Sequence, residues 1–356
     1  MRLALFLVGL LSTCVAVAED PRLLTSGLPI PDEGYCDQPY VVVTGDGNWL
    51  CALTTGPGEE GHGGQHVAAA ISSDRGRTWS KLIDIEPATG PEASWVVPLV
   101  TPGGRVYAFY TYNGDRIDQL PGKKKKIRAD MLGWYVYKFS DDHGRTWSER
   151  HRLPMRVTAC DRGNDWQGKV IIFWGISKPL VAGPEVFFSF TKLGKYMLDD
   201  GEGWLYRSDN LLTETDPGKI RWQMLPDGEH GIRAAEFGSV QEEHNLAAIN
   251  GGGLYCVYRT TTGYPCHTYS RDGGRTWTKP EHMTYCPAGR GSRTRGPALN
   301  SGARPAASIS SGSTTTAERA SRAATRRGSP AASRATAIST GRSRKSSSTT
   351  PIPRPA

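Results

Sequence analysis

The sequence predicts an all-β protein made of repeated strand–turn–strand units, the kind of repeat that forms the blades of a β-propeller. Three observations carry this prediction. One eight-residue motif occurs three times, a short strand-like run precedes each copy, and clusters of Gly, Pro and Asp separate the runs. Because the 356 residues include 42 Gly and 24 Pro, long helices are not expected.

The motif S-x-D-x-G-x-T-W occupies residues 72–79, 140–147 and 270–277. Its Asp carboxylate can accept backbone N–H bonds, its Gly can take a positive φ, and its Trp can pack under a sheet. We therefore assign structural roles to Asp74, Trp79, Asp142, Trp147, Asp272 and Trp277. The last two Trp are about twice as far apart as the first two, so a degenerate copy is expected between them, at Ser208-Asp209-Asn210 with an insertion before Trp222.

Strand candidates fill the chain around these motifs. They are Val67–Ile71, Val106–Tyr112, Trp134–Phe139, Val170–Trp174, Val186–Phe190, Leu254–Tyr258 and Cys266–Tyr269. They define four repeat units, at about residues 35–90, 91–160, 165–225 and 235–290.

The formal charge of +8 comes from the C-terminal segment. Residues 291–356 contain twelve Lys or Arg and one acid, Glu318, so the rest of the chain is mildly acidic. The segment has no aromatic residue and too few large aliphatic residues to offset the entropy of ordering. The basic balance therefore does not indicate a nucleic-acid partner.

The chain divides into residues 1–18, 19–290 and 291–356. We interpret residues 291–356 as a low-complexity, disordered tail that arose by a frameshift, because low complexity begins where a fifth unit is expected. Reading permitted codons one base earlier gives an aromatic and His-rich peptide. The alternative is a genuine disordered tail, and the absence of an open frame one base back near codon 290 would favour it.

The first eighteen residues resemble a secretory signal. Arg2 precedes the apolar run Leu3–Leu11, and Ala16-Val17-Ala18 forms a small-residue cleavage site. We therefore expect a secreted or periplasmic protein. A lipoprotein signal at Leu11-Ser12-Thr13-Cys14 is less favoured, because Thr13 is a poor residue before a lipidated Cys. No later run is long enough to span a membrane. The six remaining Cys match no disulfide or zinc pattern, so we expect small buried residues and no metal or cofactor.

The three motifs resemble the Asp-box, or bacterial neuraminidase repeat, of the sialidase superfamily, over about residues 35–290. The resemblance implies a sialidase-like six-bladed β-propeller, of which about four blades are in frame. It places the active site at the centre of one face and the boxes away from it. Sialidases bind a substrate carboxylate with three Arg, use a Tyr activated by a Glu as nucleophile, and use an Asp as acid/base.

Two residues in the fourth unit match the family's catalytic pattern. Glu243 precedes Arg259 by sixteen residues, as a catalytic Glu precedes a carboxylate-binding Arg, and the third box follows. Glu242 is a second candidate for the same role as Glu243. The alternative is a pair of surface acids with Arg259 in a solvated ion pair.

The first unit departs from the family pattern. Asp37-Gln38-Pro39 aligns with the family's Arg-Ile-Pro, and Leu53-Thr54-Thr55-Gly56 stands where a second Arg belongs. An Asp in place of an Arg repels a carboxylate, which argues against sialic acid as the ligand.

Two polar segments supply further candidates. Glu60, His62 and His66 fall where the family places its acid/base and could transfer protons, although a mobile polar loop is the favoured explanation of this segment. Residues 156–166 are rich in polar groups that suit a sugar-facing loop, and their candidate ligand contacts are Asp161, Arg162, Asp165 and Trp166.

The sequence thus predicts an exported glycan-processing hydrolase that resembles an exo-sialidase, with carbohydrate as its partner. In this prediction Glu243 assists a nucleophile, Arg259 orients the substrate, and Asp37 or the loop from Glu60 to His66 transfers protons. A non-catalytic glycan-binding propeller and an inactive truncated product are the two alternatives.

Overall fold

The computed structural model describes Leu23, residues 26–240 and residues 243–284. The predicted signal segment, Glu242, Cys286 and the predicted tail lie outside the described residues.

Four antiparallel sheets follow one another along the described chain, each a meander of consecutive strands. The first sheet contains β1 (Tyr35–Val43), β2 (Trp49–Gly56), β3 (His66–Ser72) and β4 (Ile83–Asp84). The second contains β5 (Ala93–Val100), β6 (Val106–Tyr112), β7 (Trp134–Ser140) and β8 (His151–Arg152). The third contains β9 (Phe173–Trp174), β10 (Leu180–Ala182), β11 (Glu185–Lys195), β12 (Asp199–Ser208) and β13 (Gln223–Leu225), with β9 paired to β11. The fourth contains β14 (Asn245–Ile249), β15 (Gly253–Tyr258), β16 (Cys266–Ser270) and β17 (Glu281–His282).

The prediction of a mostly β, antiparallel protein is confirmed. Each of the four predicted repeat units contains one sheet, and every predicted strand is present, although only Phe173–Trp174 of the run beginning at Val170 is a strand. The helices of the described part are short: α1 (Ala159–Gly163) and the 3-10 turns Pro217–Lys219 and Ala235–Phe237. None of these helices is long and apolar enough to cross a membrane. None of the described sheets closes on itself, and the six-bladed arrangement stays a prediction.

The hydrophobic core lies between consecutive sheets. Strand β6 shows why: Tyr107 and Phe109 pack against the third sheet, whereas Ala108 and Tyr110 pack against the first. Side chains alternate along a strand, so a strand buried on both faces must be apolar at every position. The same alternation in the third sheet turns Phe188 toward the second sheet and Phe187 toward the fourth.

Each motif forms a turn that is held by its own side chains. In the second copy, the Oδ1 atom of Asp142 accepts hydrogen bonds from the Thr146 backbone N–H (2.8 Å) and the Ser140 hydroxyl (2.7 Å), while Oδ2 accepts from the Thr146 hydroxyl (2.7 Å). Ser140 in turn accepts from the Gly144 N–H at 2.7 Å. Gly144 has a φ of +90°, and a Cβ there would lie 1.9 Å from Leu50, so only glycine fits.

The other two copies form the same turn. Thr78 and Thr276 donate to Asp74 and Asp272 through both backbone and hydroxyl, with distances from 2.6 to 2.9 Å. Trp147 packs against the core between the first and second sheets, and Trp277 packs against the core between the third and fourth.

The predicted degenerate copy is present in the third sheet. The Asn210 side-chain oxygen replaces the Asp carboxylate and accepts from the Arg221 backbone N–H at 2.9 Å. Ser208 accepts from the Leu211 N–H at 3.1 Å, and Trp222 packs against the core between the second and third sheets. The insertion lengthens the turn without removing the hydrogen bonds that close it.

The meander separates the turns into two faces. In each sheet the box joins the third strand to the fourth, and it lies at the same end as the turn between the first two strands. Arg145 of the second box accordingly contacts Asp46 of the first sheet's first turn at 2.9 Å. We call this end the box face. The opposite end, the loop face, carries the connections 57–65, 113–133, 196–198 and 259–265.

Replacing a box carboxylate should destabilise the protein in a pH-dependent way. The pKa of Asp142 is lowered to about 2: burial opposes ionisation, but hydrogen bonds from Thr146, Ser140 and Arg145 prevail. A lowered folded-state pKa gives stability that is present above pH 4 and lost as the pH falls toward 2. We expect Asp142→Ala to cost on the order of 1 kcal/mol at pH 7, measured by denaturant unfolding. The difference from wild type should shrink below pH 3, whereas the exposed control Glu149→Ala should cost little; an unchanged cost at low pH would contradict the assignment.

Candidate functional site

Asp37 lies at the entrance to the first sheet, on the loop face. A β-bulge separates Asp37 from Tyr40, because Asp37 pairs with Thr54 while Tyr40 pairs with Ala52. Burial raises the pKa of Asp37 to about 6; a hydrogen bond from Tyr35 lowers it, and the nearby charge of Glu60 raises it further. This carboxyl group can therefore hold or release a proton near neutral pH.

Arg128 joins the connections of the first two sheets. Its guanidinium contacts Glu60 at 2.9 Å and holds Asp130 through two hydrogen bonds, of 2.6 and 3.1 Å. Burial alone would lower the pKa of Arg128, but Asp130 and Glu60 raise it well above the ordinary value. The backbone N–H of Arg128 donates to the Tyr196 hydroxyl at 3.0 Å, which ties the third sheet's connection to the same place.

Glu243 and Arg259 form an ion pair at the entrance to the fourth sheet. The Glu243 Oε1 atom lies 3.0 Å from Nη1 of Arg259, and both side chains are about four-fifths buried. Burial raises the pKa of Glu243, Arg259 opposes this, and the charge of Glu60 adds to it. Glu60 thus influences both Asp37 and Glu243, so the connections of the first, second and fourth sheets converge on one centre.

Carboxylates outnumber cations at this centre. Glu92 lies next to β5. Burial and the charge of Asp130 raise its pKa to about 8, and hydrogen bonds from the backbone of Gly64 and Gln65 oppose this increase. Glu92 adds to the carboxyl groups of Asp37, Glu60, Asp130 and Glu243, of which Glu60 and Asp130 contact Arg128 and Glu243 contacts Arg259. Such a centre favours protonated carboxyl groups and disfavours an anionic ligand.

A residue with a strained backbone conformation lies near the start of the first, second and fourth sheets. Gln38, Trp95 and Glu243 have φ values of 48°, 67° and 78°, although none is glycine. Gln38 and Trp95 occupy equivalent bulges in β1 and β5, and the Trp95 N–H is tied to the Thr54 hydroxyl at 2.9 Å. Strained residues of this kind cluster at functional sites, where neighbouring contacts hold them.

Of the predicted catalytic residues, Asp37, Glu60, Glu243 and Arg259 lie at this centre. His62 makes a local contact within the connection 57–65, where its Nδ1 atom accepts a hydrogen bond from the Glu59 N–H at 3.1 Å.

The prediction that His66 contacts substrate is corrected by its position. His66 is 1% exposed, with Nδ1 lying 3.7 Å from Glu33 and Nε2 lying 3.5 Å from Asp84. It begins β3 and lies inside the first sheet, where a substrate does not reach it.

Asp161 is corrected for the same reason. It forms a fully buried ion pair with Lys192 at 2.6 Å and accepts from the Thr158 N–H at 2.7 Å, which holds the start of α1. The predicted sugar-facing loop therefore turns this carboxylate inward. Its role is to neutralise a buried cation.

The other residues of that segment are spread around α1. Arg162 pairs with Glu229, Asp165 accepts from the Tyr196 N–H at 2.8 Å, and Trp166 packs on a cluster that includes Met131. Asp165 and Trp166 therefore support the connection that also contacts Arg128. Glu242 lies outside the described residues.

Sequence reasoning missed Arg128, Asp130 and Glu92. One signal was available: the connection from β6 to β7 spans residues 113–133, far longer than a hairpin turn, and long connections in a compact domain are usually functional. Glu92 has no such signal, because its raised pKa comes from neighbours in three-dimensional space.

The described residues contain no group of three or more His, Cys, Asp or Glu arranged to hold a metal ion. Cys51, Cys160, Cys256 and Cys266 are buried free thiols, as predicted, whereas Cys36 is exposed.

The raised pKa of Asp37 predicts a stability cost at neutral pH. The folded protein binds the Asp37 proton more tightly than the unfolded chain, so ionisation above pH 6 destabilises the fold, and below pH 4 the effect is absent. We expect Asp37→Asn to raise the Tm at pH 8 and to leave it unchanged at pH 4. Thermal unfolding across this range, with Glu149→Gln as control, measures the difference. An equal or lower Tm at pH 8 would show that Asp37 is not a strained carboxylate.

Comparison with known proteins places the chain by its repeats. Residues 50–314 match the BNR repeat-like domain. No curated protein matches significantly. A protein of unknown function from Dyadobacter fermentans shares the fold, with a TM-score of 0.56 at 14% identity over 71% of each chain.

Two functional proteins are more distant in structure. A Hadza microbial sialidase, Hz136, gives a TM-score of 0.47 at 16% identity, over 68% of this chain and 46% of its own. A polysaccharide lyase of family PL25, an ulvan lyase, gives a TM-score of 0.46 at 11% identity, over 72% of this chain and 59% of its own. The chain thus spans about half the length of these enzymes. The match over residues 50–314 shows that the chain belongs to the BNR repeat-like domain family, and the sialidase-like repeat indicated by the boxes is confirmed.

Proposed function

We propose that this protein is an exported glycoside hydrolase that acts on glycans other than sialosides and is built on a sialidase-like six-bladed propeller. The observation that carries the proposal is the partly buried carboxyl group of Asp37, which has a pKa of about 6 and lies near Glu60 and Arg128. The charge of Glu60 also acts on Glu243. Four consecutive meanders, with their long connections converging on one face, support the propeller arrangement. The apolar run after Arg2 supports export; purified exported protein that does not begin at Glu19 would argue against this cleavage site.

Asp37 is suited to be the general acid. Below pH 6 its carboxyl group carries the proton that a departing glycosidic oxygen requires as the bond from the anomeric carbon breaks. Tyr35 donates a hydrogen bond to the same group and holds its orientation. Water supplies the new bond to the anomeric carbon, and its released proton returns to a carboxylate.

Glu243 is suited to be the second carboxylate. Arg259 fixes its position at 3.0 Å and favours its ionised form against burial, which raises its pKa. The ionised form is the state required to accept a proton from water or to stabilise positive charge at the anomeric carbon. Tyr40 lies within range of the charge of Glu243. It is not suited to be a nucleophile, because burial raises its pKa to about 12 and its hydroxyl donates to the Ile176 carbonyl.

The charge of the centre argues against a sialoside substrate. Arg128 and Arg259 are each already paired with a carboxylate, so a substrate carboxylate would have to displace Asp130 and Glu60 or Glu243 to bind them. The alternative is a non-catalytic glycan-binding protein. It is favoured by the contacts of Tyr35 and Tyr40, because Tyr35 donates to Asp37 and Tyr40 donates to the Ile176 carbonyl, which leaves neither hydroxyl free to act as a nucleophile.

Hydrolysis by the full chain tests the proposal. Nitrophenyl glycosides of neutral sugars should release nitrophenol with a rate that falls as the pH rises through 6, because Asp37 then loses its proton. Asp37→Asn and Glu243→Gln should each lower the rate by about 10²–10⁴, while Glu149→Gln on the box face should leave it unchanged. Glycan-array binding without hydrolysis would favour the binding protein, and neither activity would favour an inactive product.

A further inference from the structure

A second polar cleft lies on the loop face, between the third and fourth sheets. Its volume is about 360 Å³, which is within the range of small-ligand sites. Its lining includes Lys195, Asp199, Asp200, Arg233, Ser239 and Thr261. None of the residues assigned to the catalytic centre is among them.

The first wall is the tip of the hairpin between β11 and β12. The backbone of Lys195 pairs with the backbone of Asp199 at the end of the two strands, and Asp200 has a φ of 52°. The tip is fixed from outside the cleft, because the backbone N–H of Tyr196 donates to Asp165 and its hydroxyl accepts from the Arg128 N–H. The wall is therefore held in place by the same connections that build the catalytic centre.

The second wall carries an oriented cation. Arg233 lies 3.2 Å from Glu202, a carboxylate that is 1% exposed and also accepts from the Gly231 N–H at 2.9 Å. The Arg233 side chain lines the cleft and is 37% exposed, while Glu202 fixes its position. Such a buried partner keeps a ligand contact preorganised.

The charges of the first wall are available to a ligand. Lys195, Asp199 and Asp200 are exposed, and the described part of the chain gives none of them an ion-pair partner within 4 Å. The cleft thus offers ammonium and guanidinium donors from opposite walls together with two carboxylate acceptors. This combination suits vicinal hydroxyl groups, which both accept and donate.

Two paired segments carry residues of both the cleft and the catalytic centre. Val240 is bridged to Thr260, and the Thr261 N–H donates to the Ser239 carbonyl at 3.1 Å. Along these two paired segments, Glu243 lies three residues beyond Val240, and Arg259 immediately precedes Thr260. A ligand that extends from the Glu243–Arg259 pair would therefore meet this cleft next.

We infer that this cleft is a second saccharide subsite, which binds a neutral, hydroxyl-rich sugar unit adjoining the unit held at Asp37 and Glu243. The inference rests on the proposed function for the identity of the adjoining unit. Asp199 and Asp200 balance Lys195 and Arg233, so an anionic sugar gains no net attraction. No aromatic side chain lines the cleft, so its specificity comes from directed hydrogen bonds.

Binding of neutral oligosaccharides to the full chain tests the subsite. The probes are xylose, mannose and glucose oligomers of one to four units, measured by calorimetry. For at least one series, affinity should rise about tenfold from one unit to two, the value of one hydrogen bond to a charged group. Lys195→Met and Asp199→Asn should each remove that rise and leave monomer affinity unchanged, whereas the matched box-face control Lys81→Met should retain it.

Two results would overturn the inference. A chain-length rise that survives both substitutions would place the second unit elsewhere, and loss of affinity between 0.05 and 0.5 M salt would indicate an anionic ligand instead. The proposed function fails separately: if Asp37→Asn leaves hydrolysis intact while Lys195→Met removes the chain-length rise, the subsite stands without the acid. Unchanged Tm values for both variants exclude unfolding as the cause.

Discussion

The hydrogen bonds between each box carboxylate and its Ser and Thr neighbours determine which end of each sheet carries the tight turns. Asp74, Asp142 and Asp272 close the turn after the third strand of their sheets without help from the rest of the protein. In an antiparallel meander this turn and the first turn must lie at one end. The connection between the second and third strands then lies at the other end, where it can be long and can hold functional residues.

Core packing extends this constraint across the sheets. Because β6 and β11 are buried on both faces, each sheet fixes the orientation of the next through alternating aromatic and aliphatic side chains. The long connections are consequently brought to the same face. Contacts such as Glu60 with Arg128 follow from this stacking, although the two residues are far apart in sequence.

The sequence predicts what depends on local pattern. Strands, boxes and even the degenerate copy at Asn210 are readable, because turn chemistry and alternation act over a few residues. The grouping of Asp37, Glu60, Glu243 and Arg259 followed from a family resemblance. His66 and Asp161 were misassigned because residue type does not reveal burial: both stand in polar segments, yet each is turned inward toward a charged partner. Arg128 was missed because its partners come from other sheets.

The candidate centre is also where local rules are broken. Positive φ values at Gln38, Trp95 and Glu243 and a group of partly buried carboxylates each raise the free energy of the folded state. A sheet entrance with no other task could relieve the strain with glycine and the charge with a neutral residue. The repetition of this cost at the entrances to three sheets is the physical reason to regard the loop face as the functional surface. The formal charge of +8 concerns another part of the chain, residues 291–356, which hold twelve Lys or Arg and one acid.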